Sequence, residues 1–365
     1  MEIKAGRSRP MVYIAAGAVT VILLMFIYAA DRGLGIGYPK MASRESYRLG
    51  TIVKITLYGD KSEKLNDALD LSMKEIERLE NLLSVNIPSS DVSLVNSASG
   101  GYPVKVSEET GFLLERALEW SELTGGAFDP TIGKIVDLWG IGTESPAIPD
   151  REQLIEAVGM TDFKKVSVSR QESGTFVQTA KGQRIDLGGI AKGYVTDRVR
   201  DLLIKKGIRS ALIDLGGNIA VFGTSPRPGK WKLGLQHPFM PRGEYFGIAQ
   251  VSDVSVVTSG PYERYFESGD VRYHHIFDPA TGYPSESDLA SVTVISTNSA
   301  DADALSTALF VMGHNKAVSL LEKLESVNAV LVRKKPQGTE VYLTEGLRDS
   351  FILKDTAMKI EKPER

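Results

Sequence analysis

No cysteine occurs among the 365 residues. That excludes disulfides, thiolate nucleophiles, zinc–thiolate sites and iron–sulfur clusters, and also lipid attachment through an N-terminal cysteine. Histidine is scarce, with four residues, which disfavours a zinc site built on imidazoles. A basic excess is missing too. The formal net charge of -3 offers nothing to neutralise a phosphate backbone, so the composition gives no sign of nucleic-acid binding. Neither a low-complexity segment nor a linker interrupts residues 44–350. The chain must therefore be held by its core, and at 42% hydrophobic and 24% charged it is ordinary for one large or two medium globular domains.

What is present begins with an uncharged run from Met11 to Ala30, about 20 residues and long enough to span a hydrocarbon core as a helix. Lys4, Arg7 and Arg9 precede it, and the positive-inside rule keeps that end in the cytoplasm. The expectation is a basic cytoplasmic segment (1–10), a single-pass anchor in the cytoplasmic membrane (11–30) and a linker (31–43). A main domain (44–350) on the extracytoplasmic side and a tail (351–365) follow. A cleaved signal peptide is the alternative, but the run exceeds a usual h-region and lacks a clean small-x-small cleavage site.

Periodicity predicts mixed α/β structure, one compact α+β unit with two subdomains. Val53, Ile55 and Leu57 mark a strand, and Leu65, Leu69, Ile76, Leu79 and Leu83 an amphipathic helix. Asn86 to Gly101, rich in Ser, Asn and Gly, reads as a loop, and Ser107 as the N-cap of a helix to about Leu123. Pro130 biases Asp129 toward an extended conformation, which places Asp129 at a turn. After residue 210 strands dominate, followed by helices over 301–312 and 314–325.

Three stretches can carry chemistry. Arg184 to Asp197 (RIDLGGIAKGYVTD) reads as a strand end, a glycine pair and a helix start. Free N–H groups of a first helical turn, with glycines that admit close approach, form an anion seat to which Lys192 adds charge. A packing turn with a solvent-facing lysine is the other reading. In Ser299 to Gly313, Asp303 and Thr307 lie one turn apart, and their oxygens suit Mg²⁺ together with a backbone carbonyl. Alternatively, Asp301 or Asp303 caps the helix and Thr307 bonds back to the preceding turn. Finally, His274 and His275 point to opposite faces of a strand, so at most one enters a given site, as a proton carrier or phosphate donor. A core histidine bonded to a carbonyl is the alternative.

Taken in order, several motifs together resemble the ApbE family of flavin transferases, which move FMN from FAD onto proteins. They are LGT (49–51), GGAFDPTIGKIVDLWG (125–140), IDLGGIAKGYVTD (185–197) and LIDLGGNIAVFG (212–223). TSGPYERYF (258–266), HHIFDPATGYP (274–284) and SVTVIS…ADALSTALFVMG (291–313) complete the series. The resemblance spans roughly residues 44–350 and implies FAD in a cleft, with its pyrophosphate beside Mg²⁺. By motif position it implies cofactor contacts at Leu49, Ala127, Phe128, Asp129, Asp186, Lys192, His275 and the backbone at Phe277. It implies Mg²⁺ on Asp303, Thr307 and the carbonyl of Gly189, with His275 and Lys192 catalytic. Met is usual in the family where this chain has Leu49. Where relatives often place Tyr after the first helix this chain has Asn86, which cannot stack on a flat ring. The implied activity is Mg²⁺-dependent transfer of FMN to a Thr or Ser hydroxyl of a flavoprotein, such as a subunit of a membrane redox complex, with release of AMP. An FAD pyrophosphatase and a non-catalytic FAD carrier are the alternatives.

Overall fold

The computed structural model describes residues 40–361, so the predicted anchor (11–30) lies outside the described residues. Among the described residues no helix is long and apolar enough to cross a membrane.

The chain opens on strands β1 (Lys40–Arg48) and β2 (Thr51–Gly59). The first begins inside the segment expected to be a linker. Helix α1 (Ser62–Leu83) buries Leu65, Leu69, Ile76, Leu79 and Leu83 at helical spacing, each contributing about 1.5–3 kcal/mol by leaving water. The expected loop after it contains a short helix, α2 (Asp91–Ser97), started by the Ser90 hydroxyl accepting from Ser93 N–H. Polar composition masked it; the cap and the buried Val92 and Val95 were the signal. Strand β3 (Val104–Val106) leads into α3 (Glu108–Leu123), whose N-cap is Ser107, as the sequence predicts. Helices α4 (Gly133–Trp139) and α5 (Arg151–Met160) follow, and then the hairpin β4 (Ser167–Gln171) and β5 (Gly174–Gln178).

Helix α6 (Ala191–Lys205) precedes the strand-rich half. That half holds β6 (Ser210–Leu215), β7 (Asn218–Phe222), β8 (Trp231–Gln236), β9 (Tyr245–Val251) and β10 (Val254–Ser259). Next come β11 (Tyr265–Ser268), β12 (Val271–His274), β13 (Leu289–Ser296), α7 (Ser299–Met312) and α8 (His314–Leu321). Strands β14 (Asn328–Lys335), β15 (Gly338–Leu343), β16 (Phe351–Leu353) and β17 (Met358–Ile360) close the chain. Residues 351–360, set apart as a tail by the sequence, thus carry two strands of the fold.

A nine-stranded sheet in the order β1-β2-β6-β7-β10-β13-β14-β15-β17 forms the backbone of the molecule. It is antiparallel from β2 to β15, and β17 joins parallel to β15. Alternation sorts its side chains: Ala220, Val257, Val292 and Leu331 face α1, α6 and α7. Val221, Val256, Ile295 and Val332 face the small sheet β16-β9-β8. Strand β13 is buried along its whole length because it is covered on both faces. From Met41 onward the chain clusters as one unit.

The repeated DLGG tetrapeptide is not a structural repeat. Gly216 and Gly217, with φ of 66° and 91°, turn the β6–β7 hairpin. Gly188 and Gly189 instead precede α6, and the strand end expected at Arg184–Leu187 is only an isolated bridge between Arg184 and Ile132.

Candidate active site

The turn at Gly188–Gly189 is shaped by its own sequence. The Asp186 carboxylate accepts from Gly188 N–H at 2.6 Å, and Asp186 N–H donates to Pro130 O at 2.8 Å. Phe128 lies beneath it: a Cβ on Gly189 would come 3.0 Å from the Phe128 ring. Lys192, the second residue of α6, folds back and its ammonium donates to Gly188 O at 3.0 Å. The same ammonium stands 3.5 Å from Asp303 Oδ1 on α7. The solvent-facing lysine of the alternative reading is therefore not what the chain builds.

Asp303 is buried, at 4% exposure, and does not cap its own helix. Asn298 caps α7, and Asp301 is held by Arg116 Nε at 2.6 Å and Trp120 Nε1 at 2.8 Å. The other oxygen of Asp303 accepts from Gly193 N–H at 3.0 Å, across from one helix to the next. That contact needs Gly193, since a Cβ there would lie 2.2 Å from Ser299 O. Asp197, one turn later, accepts from the N–H groups of Ser299 and Ala300 at 2.9 Å each. It closes the start of α7 with the dipole in its favour, and burial raises its pKa against the pull of Arg200 and those amides. Thr307, one turn beyond Asp303, is half-buried, with its hydroxyl 3.4 Å from Ser259 Oγ.

A divalent cation fits this chemistry. The Lys192 ammonium already occupies a cation's position between a carbonyl and a buried carboxylate, both of them oxygen ligands suited to a hard cation. Among the described residues no cluster of three or more His, Cys, Asp or Glu could hold a metal, so a cation here would rest on Asp303 as its one carboxylate.

The two histidines are held in opposite tautomers by their partners. His274 is buried; its Nδ1 accepts from Ile276 N–H at 3.3 Å, so its proton sits on Nε2, facing Ser285 O at 3.3 Å. It is the core histidine of the bland reading, and desolvation pushes its pKa down to about 4. His275 is partly exposed, and both its backbone N–H and its Nδ1 bond to Arg264 O, at 3.2 and 3.1 Å. A carbonyl only accepts, so Nδ1 carries the proton and Nε2 keeps a free lone pair. Desolvation, with the charges of Arg264 and Lys192, pushes its pKa down to about 3.

The other expected contact residues have partners of their own within the chain. The Asp129 carboxylate is used inside the chain: it accepts from Thr131 N–H at 2.8 Å and Phe163 N–H at 3.1 Å, and burial raises its pKa. The Phe277 ring packs against Trp139, whose indole also meets Phe266, Tyr273 and Tyr283. Ala127 is half-buried beside Phe128, and Asn86 is exposed. Leu49 adopts φ 54°, and its N–H donates to Glu80 Oε1 at 2.6 Å, which fixes the β1–β2 turn. Gly193, Asp197 and Arg264 were not assigned from sequence. The four-residue spacing of Gly193 and Asp197 on one helix face was the signal for two of them; Arg264 meets His275 through its backbone carbonyl, which leaves no trace in sequence. A cavity of about 510 Å³ lined by Tyr262, Arg272 and Lys334, among others, holds none of the predicted site residues.

Comparison with known proteins bears on the family of the chain as a whole. The model of the ApbE family matches residues 49–331. The FAD:protein FMN transferase of Treponema pallidum is 38% identical over 303 residues, covering 80% of this chain and 84% of that protein. That of Klebsiella pneumoniae is 37% identical, covering 81% and 90%. A crystal structure of the ApbE protein from Thermotoga maritima superposes with a TM-score of 0.76 at 33% identity, covering 85% of this chain and 99% of that one. The flavin transferase ApbE from Vibrio cholerae gives a TM-score of 0.76 at 26% identity, covering 86% and 99%. By the extent of these matches the chain belongs to the ApbE family.

Proposed function

We propose that this protein transfers FMN from FAD to a Thr or Ser hydroxyl of an acceptor protein, with Mg²⁺, and releases AMP. The observation that carries it is the Lys192 ammonium bridging Gly188 O and Asp303, a cationic junction between a glycine turn and a buried carboxylate. The names of the relatives support the same reading.

The acceptor oxygen bonds to the FMN-side phosphorus while that phosphorus loses its bond to the bridging oxygen, which leaves with AMP. Such chemistry asks for in-line placement and charge neutralisation more than covalent help. Lys192 neutralises developing charge on the leaving phosphate, and the turn at Gly188–Gly189 lets the diphosphate approach the backbone. His275 takes the hydroxyl proton at Nε2, the nitrogen left free by the bond from Nδ1 to Arg264 O. Asp303, Thr307 and the carbonyl of Gly189 would hold the metal, which supplies Lewis-acid polarisation of the phosphoryl oxygens.

The extracytoplasmic location and the membrane anchor belong to this proposal, supported by the uncharged run 11–30 behind Lys4, Arg7 and Arg9. The acceptors are then subunits of membrane redox complexes. The deciding experiment incubates the protein with FAD, Mg²⁺ and a candidate acceptor. Flavin fluorescence on the acceptor band in a denaturing gel, with stoichiometric AMP, is expected. Free FMN and AMP without labelled protein would instead establish a hydrolase, and intact FAD a carrier.

A further inference from the structure

We propose that Arg264 is the positioning residue for His275, tying its tautomer and direction to the turn at Leu49–Gly50. The inference rests on the reading of His275 as proton acceptor. Arg264 lies in the irregular segment between β10 and β11, where no ladder holds the backbone. Its guanidinium donates to Gly50 O at 2.8 Å, the one hydrogen bond its side chain makes among the described residues. The turn it grips is itself rigid, with Leu49 and Gly50 at φ 54° and 68° and Leu49 N–H bound to Glu80 on α1. The anchored carbonyl then receives both polar hydrogens that His275 can offer from its backbone and near ring nitrogen.

The consequence is a short mechanical chain. Helix α1 holds the turn, the turn holds the guanidinium, and the carbonyl of the same residue sets which imidazole nitrogen is bare. Without the guanidinium the carbonyl drifts, and His275 samples both tautomers, only one of which presents a lone pair at Nε2. Leu49 is also an expected cofactor contact, so a flavin nucleotide bearing on that turn would bear on His275 through the same residue.

The test compares Arg264→Ala and Arg264→Lys with the parent protein. Because the chain has four histidines, ring nitrogens can be resolved by ¹⁵N–¹H correlation, with His275→Gln for assignment. In the parent, His275 should show the Nδ1–H form and His274 the Nε2–H form. In folded Arg264→Ala, His275 becomes a mixture while His274 stays unchanged as the internal control. In transfer assays kcat falls about tenfold or more with KM for FAD within about twofold, a loss confined to the proton-handling step. Arg264→Lys, which keeps a donor toward Gly50 O, recovers most of both. An unchanged His275 tautomer in the alanine variant, or a raised KM at constant kcat, overturns the assignment. The NMR result stands whether or not the protein proves to be a transferase, so failure of the functional reading is told apart from failure of this one.

Discussion

Lys192 and Asp303 stand 3.5 Å apart on two different helices, and each is the other's charge partner inside the fold. Neither acts alone in that arrangement. Lys192→Met and Asp303→Ala are each expected to lower the transfer rate by about 10²–10³-fold, the scale seen when one preorganised charge-stabilising group is lost. The double variant should lose little more than the worse single one, because the two act as a unit. Steady-state rates for the four proteins measure this; strictly additive losses would separate the roles.

The metal assignment has its own readout, independent of turnover. Mg²⁺ at about 100 times its Kd should stabilise the parent protein by about 2.7 kcal/mol. Asp303→Ala should gain nothing from the same addition, and chelation should abolish transfer while leaving the fold intact. Melting curves with and without Mg²⁺ or EDTA decide it.

Gly193→Ala tests the close approach of α6 to α7. The new methyl meets Ser299 O and Ala300 Cα within 2.6 Å, so the helices must part. A stability loss of about 1–3 kcal/mol is expected from overpacking, together with weaker Mg²⁺ binding as the Gly193–Asp303 bond lengthens. Denaturant titration and metal titration of the same variant check both halves.

Asp129 is expected to matter for stability through its turn. Asp129→Ala leaves the amides of Thr131 and Phe163 without their acceptor and should cost about 1–3 kcal/mol. Asp129→Asn keeps the oxygen that faces Thr131 but turns its NH2 toward Phe163 N–H, and should restore only part of that. Urea unfolding of the two variants measures the difference.

Acid sensitivity should trace in part to His274. Folding lowers its pKa from 6.5 to about 4. Between those values the unfolded chain binds the extra proton, so stability falls as pH drops through 6.5 toward 4, and is insensitive to this group above 6.5. His274→Gln can still donate to Ser285 O but cannot titrate. Its stability should decline less steeply than the parent's across that window, with parallel curves above it.

Regular elements with strong periodicity were legible from sequence: the stripe from Leu65 to Leu83, the Ser107 cap and the helix over 301–312 all stand as read. Short elements were not. The helix at Asp91–Ser97 is carried by one cap and two buried valines inside a polar run, and composition outweighed them. At the site, the types of residue were legible but their partners were not. That Asp303 is pinned by an amide 110 positions away is a property of helix packing, which no local spacing encodes. The same holds for Asp129, whose position at a turn was readable from Pro130, while the capture of its carboxylate by Phe163 N–H was not.

The amide of Gly193 also has a bearing on ion size. One oxygen of the Asp303 carboxylate is already committed to it, so the group offers a cation its remaining oxygen more readily than both. One-oxygen approach matches the compact octahedral shell of Mg²⁺, whereas Ca²⁺ draws on larger and often two-pronged carboxylate shells. With a metal on Asp303, a backbone hydrogen bond between neighbouring helices would thereby act as a gauge of ionic radius.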